Sequence, residues 1–161
     1  MKTTGIAFAA LALAFASTIA AAQTAKDLVG TWKNVKNTNT TADGKTTDVF
    51  GAKGTGMAIF TSAGHFTIVN LDPMTPKFAA NVRNKGTAEE NKAAVAGGIG
   101  LYGTYTVANK VLMMKMEGST YPNWTGTEQK RDITKHGKNE FTWTLTNSLG
   151  GKGEVTWQRI K

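Results

Sequence analysis

The sequence predicts an all-β fold: one antiparallel up-and-down β-barrel of about eight or nine strands with a short helical insert. Three observations carry this. Apolar and polar residues alternate in short runs: Val155, Trp157 and Arg159 fall on one face with Thr156 and Gln158 on the other, and Phe141, Trp143 and Leu145 alternate with Thr142 and Thr144. Glycine-bearing turn signals recur at hairpin spacing. Strands and helices do not alternate in the βαβ manner, so sequence neighbours are expected to pair. Closing such a sheet removes its exposed edges; an open sandwich is the alternative.

In chain order, residues 1–22 come first. They hold a basic Lys2, an apolar run from Gly5 to Phe15 and Ala20-Ala21-Ala22 before Gln23. That is the pattern of a secretory signal peptide, too short and too Ala-rich for a membrane helix. Cleavage after Ala22 and a periplasmic or secreted location are expected. The domain then fills residues 23–161. "VGTWKNVK" (29–36) reads as the first strand, and Asp43-Gly44 turns the chain into a short arm, Thr46 to Phe50. Met57 to Phe60 and His65 to Leu71 flank a Ser62-Ala63-Gly64 turn. The helical insert spans about 73–98: a short helix at about Pro76 to Asn84, then an Ala-rich helix. Thr87 and Glu90 cap the second helix and Gly97-Gly98 ends it. Strands resume with "GLYGTYTV", a turn at Ala108-Asn109-Lys110 and "VLMMKMEG". After the loop that follows come "KRDITK", a turn around His136 to Asn139, "EFTWTLT", a turn from Leu149 to Gly153, and "EVTWQRI".

At 161 residues the chain suits one domain with its own core. The net charge of +8 becomes +7 when Lys2 leaves with the signal segment. The lysines are spread, with no basic helix or basic-aromatic stripe, so no nucleic-acid partner is expected. No later segment is apolar enough to span a bilayer. With no Cys the chain uses no disulfide and no lipid-anchoring cysteine. The two histidines, His65 and His136, sit beside turns. No H-E-x-x-H or G-x-S-x-G spacing occurs, and neither a metal nor a cofactor is expected.

Gly30-Thr31-Trp32 on the first strand and Arg159 on the last are of particular interest. A Gly-x-Trp opening with a closing Arg resembles the lipocalin superfamily. The resemblance implies that Trp32 plugs one end of the barrel with Arg159 over its indole, a cation–π contact worth up to about 2 kcal/mol when desolvated. "LVGTWK", "DGKTTDVFG", "PKFAANVRNKGTAEENKAAV", "YGTYTV" and "EGSTYPNWTGTEQKR" are similar to the bacterial lipocalin-like domain family over nearly the whole mature chain. That implies a calycin-type barrel with a helical insert. It implies little about substrate, since such folds include carriers and a few isomerases or cyclases.

The candidate ligand-binding residues follow from position. Met114 lies in a soft row with Leu112 and Met116, and Tyr102 or Tyr105 facing inward would bring a hydroxyl into an apolar space. The insert reads as a lid, with Phe78 facing down and Arg83 reaching an anionic group. In "EGSTYPNWTGTEQKR" the aromatic Trp124 needs something to pack on. Asn123 lies beside it, and Glu117 and Arg131 form an expected rim salt bridge. The leading function is export and binding of a small hydrophobic or amphipathic molecule in the barrel, with a carboxylate or another anionic end met by Arg83 or Arg131. An isomerase or cyclase using Glu117 or a Tyr is one alternative. A filled structural barrel is the other, and with no cavity above about 300 Å³ both ligand readings would fail.

Overall fold

The computed structural model describes residues 24–146 and 150–161. The expected signal segment and Leu149, the first residue of the last expected turn, lie outside these. A one-turn helix, α1 (Ala25–Leu28), precedes nine strands: β1 (Gly30–Thr40), β2 (Thr46–Asp48), β3 (Thr55–Phe60), β4 (His65–Leu71), β5 (Gly98–Ala108), β6 (Val111–Ser119), β7 (Glu128–His136), β8 (Glu140–Thr146) and β9 (Lys152–Arg159). Helix α2 (Ala88–Ala96) lies between β4 and β5. Each strand from β3 to β8 pairs antiparallel with the next, and β1 pairs with both β3 and β9. The result is a closed eight-stranded antiparallel barrel with β2 as an added strand beside the second half of β1.

The alternation read from sequence places the inner face. Phe66, Ile68 and Asn70 of β4, Leu112, Met114 and Met116 of β6, and Val155 and Trp157 of β9 are buried while their neighbours face out. Strand β1 runs four residues beyond the expected Lys36. Asn37 and Asn39 have low strand propensity, but β9 pairs Asn37 to Thr40 on one side and β2 pairs Thr38 to Thr40 on the other. A full backbone ladder outweighs the propensity. A bulge between Asn34 and Lys36 leaves Val35 turned out and 46 % exposed.

One end of the barrel is packed solid. Trp32, Phe60, Phe141 and Trp143 meet edge to face or tilted, with Trp32 and Phe141 centroids 4.5 Å apart at 84°. Helix α1 lies under them, and Leu28 O accepts the Trp32 indole N–H at 2.7 Å. Arg159 stacks over the Trp32 ring, 4.0 Å from its centroid, and donates to Val29 O, Asp27 O and Lys138 O. Gly30 has φ 134°, and a Cβ there would overlap Arg159 Nη1, so only glycine fits. Gly30, Trp32 and Arg159 therefore meet at this end of the barrel.

The insert needs correction. The capped helix is present as α2, with Glu90 N donating to Thr87 Oγ1 and Thr87 N to Glu90 Oε2. The expected helix from Pro76 to Asn84 is not formed. Asn81 takes the left-handed conformation at φ 48°, and the segment makes two separate turns, Asn81 N to Phe78 O and Lys85 N to Val82 O. Its Ala79 N–H is taken by Glu90 Oε1 instead of a helical carbonyl. Glu90 therefore clamps the segment to the start of α2, and these two backbone donors hold its carboxyl below the usual carboxylate range.

A depressed carboxyl supports the clamp above its ordinary pKa and releases it as pH falls through the folded value. Glu90→Ala is accordingly expected to speed tryptic cleavage after Arg83 and Lys85 by several-fold at neutral pH, with the barrel intact. Acidification below the folded Glu90 pKa should shift the Ala79 amide resonance in the same direction as the substitution. Unchanged cleavage would show that the clamp does not order the segment.

Candidate functional site

The other end of the barrel is open. There the first residues of β5, β7 and β9 meet the last of β1, β4, β6 and β8, and they surround a cavity of about 100 Å³. Its wall is mainly apolar, with Ile68, Ile99, Leu101, Met114, Trp143 and Val155. Val49 and Phe50 close it from the segment after β2, and Trp124 from the loop after β6. That volume lies below the roughly 300 Å³ expected of a ligand cavity, so the barrel does not enclose a drug-sized molecule. It admits a small molecule, or one end of a larger one reaching through the mouth.

The loop over the mouth is tied at both ends. Gly126 N donates to Met116 O at 2.8 Å and Met116 N to Thr127 O at 2.9 Å, which extends the β6–β7 ladder under the loop. Pro122 starts a single 3-10 turn, Pro122–Trp124, and Gly126 at φ 82° makes the return. Trp124, partly buried, packs on the core cluster, and Tyr121 meets it edge to face at 5.7 Å. It thus packs on the core and also lines the cavity.

Arg131 is the charged residue of the lining. It pairs with Leu112 across β6–β7, which turns it inward, and it is 5 % exposed. Burial pulls its pKa down to about 10, so it remains a cation at neutral pH. Nη1 donates to Lys130 O at 2.8 Å, and Nη1 and Nη2 both donate to Gln129 Oε1 at 3.3 Å. The guanidinium carbon lies 6.0 Å from the Trp124 ring centroid. Two other lining residues carry buried polar atoms without a partner among the described residues. Asn70 Oδ1 leans over Gly56, and Trp157 Nε1 has no acceptor.

The sequence-predicted residues divide plainly. Met114, Trp124 and Arg131 line the cavity together. Tyr105 is buried but sits towards the closed end. Its hydroxyl donates to Thr61 O at 2.9 Å, with Ala25 O at 3.4 Å, and desolvation raises its pKa. Tyr102 faces out, 55 % exposed, with its ring across Gly118, and Asn123 is exposed on the loop. Phe78 packs near Gly86 within the insert and Arg83 is exposed, so neither lines the cavity. α2 has no buried residue and Val95 is 74 % exposed, so the insert lies at the rim without plugging the barrel. The rim salt bridge is also corrected. Glu117 is exposed on the outer face while Arg131 is inside, and Lys130 pairs with Asp132 on the surface at 2.9 Å.

Asn70, Trp143, Leu145 and Val155 were missed as lining residues. Asn70 had a signal: Phe66, Ile68 and Asn70 share one face of "HFTIVNL", so a polar group stands at an inward position. Among the described residues the lining includes no carboxylate, His or Tyr, so Glu117, Tyr102 and Tyr105 are not placed in the cavity as an acid or base. Among the described residues no three His, Asp or Glu side chains come together, and no helix is long and apolar enough to cross a membrane.

A family described as "Lipocalin-like domain" matches residues 29–160. Similar solved structures include a redesigned β-barrel, 21 % identical over 85 % of this chain and 95 % of that one, at a TM-score of 0.44. A de novo designed fluorescence-activating β-barrel is 13 % identical over 84 % and 96 %, at 0.43. A redesigned barrel bound to DFHBI is 26 % identical over 84 % and 97 %, at 0.41. No curated protein matches the chain.

Proposed function

We propose that this chain, which belongs to the lipocalin-like domain family, is exported and holds a small, largely apolar molecule at the open end of its barrel. The observation that carries the reading is the asymmetry of the interior. Filled interiors are normal for eight strands, and the closed half obeys that rule with stacked aromatics. The open half keeps about 100 Å³ unfilled among apolar walls. An empty apolar space forfeits dispersion contacts, and a ligand restores them.

Size limits what burial alone can do. Covering about 200 Å² of apolar area stabilises a complex by about 5 kcal/mol, a Kd of the order of 0.1–1 mM. Tighter binding needs a polar anchor. The small volume also favours a second reading, a structural barrel with a residual void.

Native mass spectrometry of the protein purified from its own compartment separates the two. The binding reading expects a retained adduct of up to a few hundred daltons, lost in Leu145→Trp, which narrows the mouth. No adduct, together with no thermal shift from neutral apolar small molecules, would leave the structural barrel.

A further inference from the structure

The cavity contains a charge with no counter-charge. Among the described residues, the ion pairs are Lys36–Glu154, Lys130–Asp132 and Lys135–Glu140, all on the surface. None reaches Arg131. Its hydrogen bonds also leave a defined edge free. Gln129 Oε1 sits across the end of the fork, taking one N–H from each terminal nitrogen, and Lys130 O takes the second N–H of Nη1. The Nε–H and the remaining Nη2–H lie parallel on one side of the planar group, and no described residue accepts from them. A buried cation is expected to be paired, and an unpaired guanidinium edge suits two oxygens in one plane.

We propose that this edge is an anion subsite and that the ligand is a small apolar monocarboxylic acid. Its two oxygens take Nε–H and Nη2–H of Arg131, and its hydrocarbon lies against Ile68, Leu101, Met114 and Trp143. The inference rests on the binding reading above and adds the class of ligand. Carboxylate is chosen over phosphate because Arg131 is the one charged residue in the lining among the described residues. A phosphate would keep uncompensated charge, and its remaining oxygens would face apolar wall. The volume fits an acid of about six to ten non-hydrogen atoms with its far end in the mouth.

Hexanoate and 1-hexanol share a chain and differ in the headgroup. Trp124, Trp143 and Trp157 line the cavity, so tryptophan fluorescence of the mature chain, checked by calorimetry, reads both. Hexanoate is expected to bind about 30-fold tighter than hexanol, a factor typical of a charge-assisted bidentate contact. Arg131→Met should abolish that preference while hexanol binding is kept or improved. Arg131→Lys, which keeps the charge but not the edge, should weaken hexanoate by about tenfold. The thermal midpoint of unliganded Arg131→Met should equal or exceed that of the wild type.

Equal binding of acid and alcohol by the wild type would overturn the inference and leave the binding reading standing. Binding of neither would overturn the binding reading itself. Hexyl phosphate binding tighter than hexanoate would overturn the choice of carboxylate. A fall of several degrees in the Arg131→Met midpoint would make Arg131 a structural residue and overturn the subsite.

Discussion

Trp32→Ala is expected to destabilise the domain by about 4 kcal/mol, lowering its thermal midpoint by about 15 °C. The expectation rests on more than lost area. Trp32 is fully buried at the closed end, edge-on to Phe141. Removing the indole opens a void under Arg159, whose guanidinium lies 4.0 Å from the ring centroid. It also strips the donor from Leu28 O, and an orphaned buried carbonyl adds about 1 kcal/mol or more. Arg159 keeps its bonds to Val29 O, Asp27 O and Lys138 O, so the end should loosen without the strands separating. Trp124→Ala at the mouth is the control. Partly buried, it should cost about 1 kcal/mol. Urea midpoints of the two variants check the difference. Equal losses would mean that the closed end does not dominate stability.

Strand periodicity made the barrel readable. β4 and β8 have the expected bounds because each is an alternating run stopped by turn residues. The Gly30, Trp32 and Arg159 closure was readable because each residue has one physical task there. The helix at Pro76 to Asn84 was not, since what decides that segment is a left-handed Asn81 and a carboxylate eleven residues away, Glu90. The site was legible in strand parity. Its loop chemistry misled: Glu117 and Arg131 are close in sequence across a turn, yet they stand on opposite faces of the wall. Parity was the better guide. Ile133 alternates with Asp132 and Thr134, so Arg131 shares its inward face, as Asn70 shares that of Ile68. Polar residues on an apolar parity mark this cavity. Its volume depends on how Phe50 and Trp124 fold over it, which pairwise alternation does not encode.

Gly103→Ala is expected to destabilise by about 3 kcal/mol or more, although it adds a single methyl group. Gly103 is buried within β5, and the β5–β6 register shifts between Tyr102 and Gly103, where Tyr102 faces Gly118 and Gly103 faces Met116. A Cβ at Gly103 would overlap Lys115 O and lie 2.9 Å from Glu117 N. Both are backbone atoms of β6, so no side chain can rotate away; the strand itself must move. β6 is also paired with β7, and those strands carry Met114 and Arg131 on the cavity wall. The displacement should therefore weaken ligand binding as well as stability. Gly100→Ala, three residues earlier in β5, is the matched comparison: its Cβ would meet Thr120 Cγ2 at an ordinary 3.5 Å, and its cost should stay below about 1 kcal/mol. Chemical denaturation of the pair measures the difference. If Gly103→Ala were as mild as Gly100→Ala, β6 would not approach β5 so closely at the bulge. The curvature that brings Met114 and Arg131 to one cavity would then need another source.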